Sequence, residues 1–254
     1  SQLRLRWPRQ MFIRSSLAGD EAFVPALADV FPSPGGLPFT CNVRADRMTE
    51  RIADELARAG AKVVQFGVES GNDRIRREVL KRKISREQMI QTARWLQARG
   101  IRIYTYNIVG IPGETPEDAL ETLELNAEIG ADVSMFTMFQ PYPKTPLGDR
   151  AFDMGWSDGS SAQFSSTFYH NSMRNMPQAH RFRNMVHLFP LAVRSKLVRR
   201  LVPTLTKLPL TPAFAGVDFM YKTTRFVFSL GFVDPGDFLA YSGRIEPKPK
   251  PEFR

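Results

Sequence analysis

Lys62-Val63-Val64-Gln65-Phe66-Gly67-Val68 is a β-rich run that ends in Glu69-Ser70-Gly71, and the segment beyond it decides the fold. A helix opens at Ser85, with Gln88 three residues on. That spacing is a capping box, in which each side chain satisfies a free backbone N–H. The helix stops at Gly100, and a second β-rich run, Arg102 to Val109, begins two residues later. The same pattern stands on either side. Upstream, a helix opens at Thr49, carries Ile52, Leu56 and Ala59 at helical spacing and stops at Gly60. Downstream, Thr115 caps a helix with Pro116 in its first position and Glu117 and Asp118 at the positive end of the dipole. It stops at Gly130, and residues 132–140 read as another strand.

Strands joined by single helices run parallel, with right-handed crossovers. The expected strands are 39–44, 62–68, 102–109 and 132–140, with 11–14 a candidate fifth. A curved or closed parallel α/β barrel fits best, and a flat doubly wound sheet is the runner-up. In either, functional residues belong at the C-terminal ends of the strands.

Those ends are polar or glycine-rich. Glu69 closes an apolar strand, so its carboxylate is placed to accept hydrogen bonds from ribose hydroxyls or a ligand ammonium; the plainer expectation is an ion pair with Arg44. Gly110 and Gly113 would let backbone approach a flat ligand, or simply make a strand-to-helix turn capped by Thr115. Arg44 suits a ligand carboxylate, or pairing with Asp46 or Glu69.

The chain has 254 residues, 43% hydrophobic and 24% charged, enough for one substantial core with a smaller appended lobe. No apolar run approaches the ~18 residues of a membrane span, and no secretory signal is evident, so a cytoplasmic protein is expected. The chain starts at Ser rather than Met, which suggests a processed or incomplete piece. Cys41 is the single cysteine, too few for an internal disulfide or a multi-cysteine metal site. His170, His180 and His187 fit no common ligand spacing, so zinc is not expected. The net charge of +9 is uneven: residues 1–150 hold 21 Lys/Arg against 19 Asp/Glu, and residues 151–254 hold 14 against 7. The basic excess bears on partners rather than chemistry.

Taken in order, Cys41-Asn42-Val43-Arg44-Ala45-Asp46, Phe66-Gly67-Val68-Glu69-Ser70-Gly71, Ile108-Val109-Gly110-Ile111-Pro112-Gly113-Glu114-Thr115 and Pro141-Tyr142-Pro143-Lys144-Thr145-Pro146-Leu147 resemble the radical S-adenosylmethionine (radical SAM) superfamily. The likeness is to the branch whose members often carry a cobalamin-binding domain upstream. It covers residues 39–150, and more loosely 1–38, and its specificity lies in the set and the spacing. It implies a partial parallel (β/α)6 TIM-like barrel, N-terminally incomplete, with S-adenosylmethionine bound at the strand ends. By that resemblance Glu69 and Ser70 lie by the ribose. Val109, Gly110 and Ile111, with the Gly113-Glu114 turn, line the adenine. Arg44 reaches the methionyl carboxylate, and Tyr142 sits at the mouth near substrate. Cys41 falls at a structural position. The implied activity is generation of a 5′-deoxyadenosyl radical, used to methylate or rearrange an unidentified substrate. The implied cofactors are S-adenosylmethionine and a [4Fe–4S] cluster, with cobalamin a further candidate, and the implied partner is a flavodoxin- or ferredoxin-type reductant.

One departure is decisive for the chain as it stands. Cluster ligation in this family uses a Cys-x3-Cys-x2-Cys loop, and three thiolates are not present here. The favoured explanation is a fragment whose cluster loop lies upstream. The alternative is a cluster-free, catalytically inactive barrel acting as a nucleoside-binding or protein-interaction module.

The expected division is residues 1–150 for the core, 151–245 for a basic, mainly helical C-terminal lobe and 246–254 for a disordered tail. In the lobe, residues 153–166 read as a loop and residues 226–233 as a short apolar run. Residues 178–201 have helical spacing with interleaved arginines, divided or kinked at Pro190. Such a basic amphipathic helix can bind a membrane surface, nucleic acid or an acidic partner protein, and the plainer expectation is a lobe packed on the barrel with a solvated arginine face. No nucleic-acid motif is present.

Overall fold

The computed structural model describes residues 11–16, 38–157 and 175–229, together with Val24, Asp29 and Met173. Five parallel strands form one sheet: β1 (Met11–Ser16), β2 (Phe39–Asn42), β3 (Ala61–Glu69), β4 (Arg102–Val109) and β5 (Val133–Met138). Their order in space is their order in sequence. A doubly wound sheet must reverse direction at a switch point, whereas this one advances in one sense throughout, as an arc of a (β/α) barrel does. The candidate strand at 11–14 is therefore real and extends to Ser16.

The crossover helices start where their caps predict. Thr49 accepts from the backbone N–H of Ile52 to open α1 (Glu50–Arg58). Reciprocal capping boxes at Ser85/Gln88 and Thr115/Asp118 open α2 (Arg86–Gln97) and α3 (Pro116–Ile129). Between β3 and α2 the chain also makes a π-helical turn, Ile75–Val79, which hydrophobic spacing did not reveal.

Burial alternates along the strands with the pleat. On the helix side, Val64, Phe66, Val68 and Ile103 pack against Ile52, Leu56, Met89, Ala93 and Leu96. Val109, Phe136 and Met138 pack against Ala119 and Leu123 of α3 and against the C-terminal helices. The other face of β3, β4 and β5 is only half-buried, and parallel register sets its side chains in rows: Gln65, Tyr104 and Val133, then Gly67, Tyr106 and Met135, with Ile108 beside Thr137. This is the concave face.

After β5 the strand–helix alternation ends in α4 (Pro146–Asp153), capped by Thr145. Helix α5 (Ala179–Arg194) then lies on β5 and α3 and shares their apolar cluster through Phe182, Met185, Val186, Phe189 and Ala192. The ring of Phe189 meets Phe136 edge-on at 5.1 Å. Pro190 sits inside α5 without dividing it. The break falls instead at Ser195, which is extended and whose side chain accepts from the Val198 N–H to start α6 (Lys196–Leu205). Helix α7 (Thr211–Ser229) completes the lobe. The expected loop beyond residue 157, the end of the apolar run at 230–233 and the tail at 246–254 lie outside the described residues.

A polar layer is buried within this packing. The Asn126 side chain on α3 accepts from the hydroxyls of Thr105 (2.5 Å) and Ser134 (3.2 Å). It donates to Asn107 Oδ1 (2.6 Å) and to the Thr122 carbonyl (2.7 Å). All five residues are buried, so removing the amide strands several partners at once. Asn126→Ala is expected to destabilise the fold by about 2–4 kcal/mol in urea unfolding; a change within about 0.5 kcal/mol would show that the layer is filled by water instead.

Candidate functional site

Glu69 ends β3 with φ 63, in the left-handed region that a non-glycine residue occupies only at a cost. The ladder skips Val68 at this point, where pairing passes from Gly67–Tyr106 to Glu69–Asn107. The bulge re-aims the side chain. The Glu69 carboxylate folds back over Gly67, so closely that a Cβ on Gly67 would overlap Glu69 Oε1 and stand 3.0 Å from Cδ. Glycine at 67 thus leaves room for a carboxylate on the concave face, in the row that continues to Tyr106 and Met135. The charged partner of Glu69 is Arg82 at 3.6 Å, beyond hydrogen-bond length, while Arg44 is held by Asp46 at 2.8 Å. Burial raises the Glu69 carboxyl above its usual range, and Arg82 opposes that only in part.

The loop beyond Glu69 is fastened from below. Arg76, on the π-helical turn, is fully buried; it donates to the Ser70 carbonyl (2.8 Å) and the Ile84 carbonyl (2.9 Å), and also pairs with Asp73. Thr122 Oγ1 accepts from the Gly71 N–H at 2.8 Å, and a Cβ on Gly71 would collide with the α3 backbone at Glu121. Ser70 is itself buried, and its hydroxyl accepts from the Asn72 N–H at 3.3 Å.

The other expected residues are placed less openly. The side chains of Val109 and Ile111 are buried in the second apolar cluster. Glu114 is buried beneath the same turn. Its Oε2 accepts from the N–H groups of Gly110 (2.6 Å) and Ile111 (3.2 Å), while Oε1 has no hydrogen-bond partner among the described residues. Those two N–H groups are therefore engaged within the chain. A Cβ on Gly110 would come within 2.8 Å of Met176 Cε, and one on Gly113 within 3.1 Å of Arg150 Nη2. The Gly113 carbonyl accepts from Arg74 at 3.0 Å. Tyr142 is exposed beyond the end of β5.

Several residues on the concave face were not anticipated: Gln65, Tyr104, Tyr106, Ile108, Met135 and Thr137. The Tyr106 hydroxyl donates to Gln65, the Tyr104 hydroxyl lies 3.3 Å from Met135 Sδ, and the two tyrosine rings stand 5.0 Å apart, tilted. Strict alternation from Gln65 to Glu69 and from Tyr104 to Ile108 was the available signal. A separate surface groove of about 640 Å³ is lined by Ala45, Asp46 and Met48 with α2, not by this face.

The residues present do not fit an iron–sulfur cluster. Cys41 is buried in the first core, and burial pushes its thiol up to about 12, far from the thiolate a cluster requires. Among the described residues no group of three or more His, Cys, Asp or Glu could hold a metal ion. The concave face does fit a hydroxyl-bearing ligand, because the Glu69 carboxylate there has spare acceptor positions.

Residues 8–125 match the family described as the radical SAM superfamily. The chain is 29% identical over 115 residues to an uncharacterized methyltransferase of Pyrococcus horikoshii, a match covering 45% of this chain and 25% of that protein. It is 34% identical over 137 residues to a tRNA-2-methylthio-N(6)-dimethylallyladenosine synthase of Aromatoleum aromaticum, covering 52% and 30%. The chain thus spans less than a third of the length of these curated relatives. Among solved structures it resembles the radical S-adenosylmethionine methyltransferase TsrM of Kitasatospora setae, at 22% identity and a TM-score of 0.48, over 57% of this chain and 30% of that one.

Burial lifts the Glu114 carboxyl to about 8, despite the two backbone donors. A raised value in the fold means that this group's contribution to stability is complete below about pH 4.5 and is lost as pH climbs toward 8. The expected slope approaches about 1.4 kcal/mol per pH unit. Glu114→Gln should flatten it in urea unfolding across that range, and an unchanged slope would assign the pH dependence elsewhere.

Proposed function

From the premise that this chain is a member of the radical SAM superfamily, we propose that its concave face is the S-adenosylmethionine-binding wall of a larger radical SAM enzyme. The observation that carries the reading is the Glu69 carboxylate, set on that face by a bulge, a left-handed backbone and a glycine that makes room for it. Bound S-adenosylmethionine supplies the adenosyl and methyl groups that such enzymes use.

In this reading the chain's own residues bind and orient. Glu69 accepts the ribose hydroxyls, and its desolvation strengthens a hydrogen bond to the charged oxygen. Arg76 and Thr122 keep the Glu69–Gly71 loop from following ligand or solvent. Ile108 offers a flat apolar contact beside the Val109–Ile111 turn, whose backbone is already braced by Glu114. Arg44, expected at the methionyl carboxylate, reaches it only by exchanging its pair with Asp46. Tyr104, Tyr106 and Gln65, deeper on the same face, are the residues that a substrate would meet. Methylation or rearrangement of that substrate, with or without cobalamin, is the expected outcome, and a flavodoxin- or ferredoxin-type protein is the expected electron donor.

We place the cluster ligands outside these residues. The alternative reading, with which the buried Cys41 is also compatible, is a cluster-free barrel that binds a nucleoside or a protein. Iron analysis of the complete protein separates the two: stoichiometric iron belongs to the enzyme, and its absence to the binding module.

Glu69→Ala in the complete protein should weaken S-adenosylmethionine binding about tenfold or more by calorimetry. Gly67→Ala should do the same, because its methyl group displaces the carboxylate while Glu69 itself is unchanged. Wild-type affinity in both variants would remove the ribose assignment.

A further inference from the structure

The outer surface of the C-terminal lobe is apolar where a soluble helix pair is normally charged. On α6, Leu197 and Leu201 stand one turn apart and are 69% and 48% exposed. Lys196 and Arg200 form the neighbouring exposed row. The turn from α6 to α7 exposes Lys207, Leu208 and Leu210. On α7, Ala213, Gly216, Val217, Phe219 and Met220 face solvent, Phe219 and Met220 at 65% and 70%.

The one acidic residue of α6 and α7 is turned away. Asp218 is buried on α7, held by His187 Nδ1 at 3.1 Å and Lys222 Nζ at 2.7 Å. From residue 159 to residue 217 the sequence contains no Asp or Glu, against eight Lys and Arg. The tip is fixed in place: Asn184 of α5 donates to the carbonyls of Thr206 (3.0 Å) and Leu208 (2.8 Å) and accepts from the Thr211 hydroxyl (2.5 Å). Leu208 and Leu210 are thus presented by a braced turn, and exposed apolar side chains in such number mark a contact site.

We propose that this face docks on an anionic lipid bilayer surface, with α6 and the outer side of α7 lying in the headgroup boundary. The charge pattern selects this occupant. Apolar side chains rimmed by lysine and arginine, on two helices whose one acid is buried, complement acyl chains beneath anionic headgroups. A second copy of this chain would set basic rim against basic rim across a two-fold axis. Among the described residues no helix is long and apolar enough to cross a membrane, so the contact is with the surface. The proposal does not depend on the S-adenosylmethionine site.

The test is co-sedimentation of the full-length protein with vesicles of phosphatidylcholine alone and of phosphatidylcholine mixed with phosphatidylglycerol. Binding to the mixed vesicles, weakened by added salt, is expected. Leu197→Asp with Leu201→Asp should reduce it at least about tenfold, and Lys196→Gln or Arg200→Gln about fivefold each. Phe219→Ser with Met220→Ser, on the other helix, should also reduce it, which guards against a folding defect in any one variant. No binding to mixed vesicles overturns the proposal, as does equal binding to both kinds or binding that survives all these variants. A dimer in sedimentation velocity that the leucine variants dissociate assigns the face to a second copy and overturns it as well.

Discussion

The buried guanidinium of Arg76 is the contact on which the site depends. A charge without solvent must be saturated with partners or it unravels the segment around it. Arg76 is satisfied by the carbonyls of Ser70 and Ile84 and by Asp73, so three pieces of chain converge on one planar group. Ser70 follows the strained Glu69 directly, and Gly71 is pinned to α3 by Thr122. The left-handed conformation of Glu69 persists because its neighbours on the C-terminal side have nowhere else to go. The π-helical turn is part of the same device, since it carries Arg76 with its side chain buried.

This fastening connects to the polar layer behind the sheet. Asn126 touches β4 and β5 through Thr105, Asn107 and Ser134 and reaches Thr122 along its own helix. Strand register, the position of α3 and the placement of Gly71 are therefore set by one connected group of amides and hydroxyls. Such a layer specifies one arrangement in a way that apolar contacts, being non-directional, do not. Helix α5 then closes the outer side of β5 with aromatic and methionine side chains, joining the C-terminal helices to the barrel arc through a common core.

Much of the fold was legible because it is written locally. Capping boxes, proline at the first helical position and glycine stops are short-range signals, and the strands between them were long and apolar. The same local reading expected Pro190 to kink or divide the C-terminal helix; the division falls at Ser195, whose side chain caps the next helix, while Pro190 is carried within α5. At the site, Glu69 could be found from its position at a strand end. The direction of its carboxylate could not, because that depends on a bulge and on the absent side chain of Gly67. The engagement of Gly110 and Ile111 by Glu114 was equally hidden: a glycine-rich turn looks open in sequence, and only packing shows which of its groups are already occupied. The concave tyrosines were legible in alternation but carry no motif.

Cys41, shielded in the first core between β1 and β3, has a bearing on how motion in this molecule can be timed. It is the single thiol of the chain and has no reactive thiolate while the sheet is closed. A thiol reagent can therefore reach it only when β2 parts from its neighbours, and the modification rate becomes a clock for that opening. Because β2 borders β3, the clock runs one strand away from Glu69, with no engineered label and no second cysteine among these 254 residues.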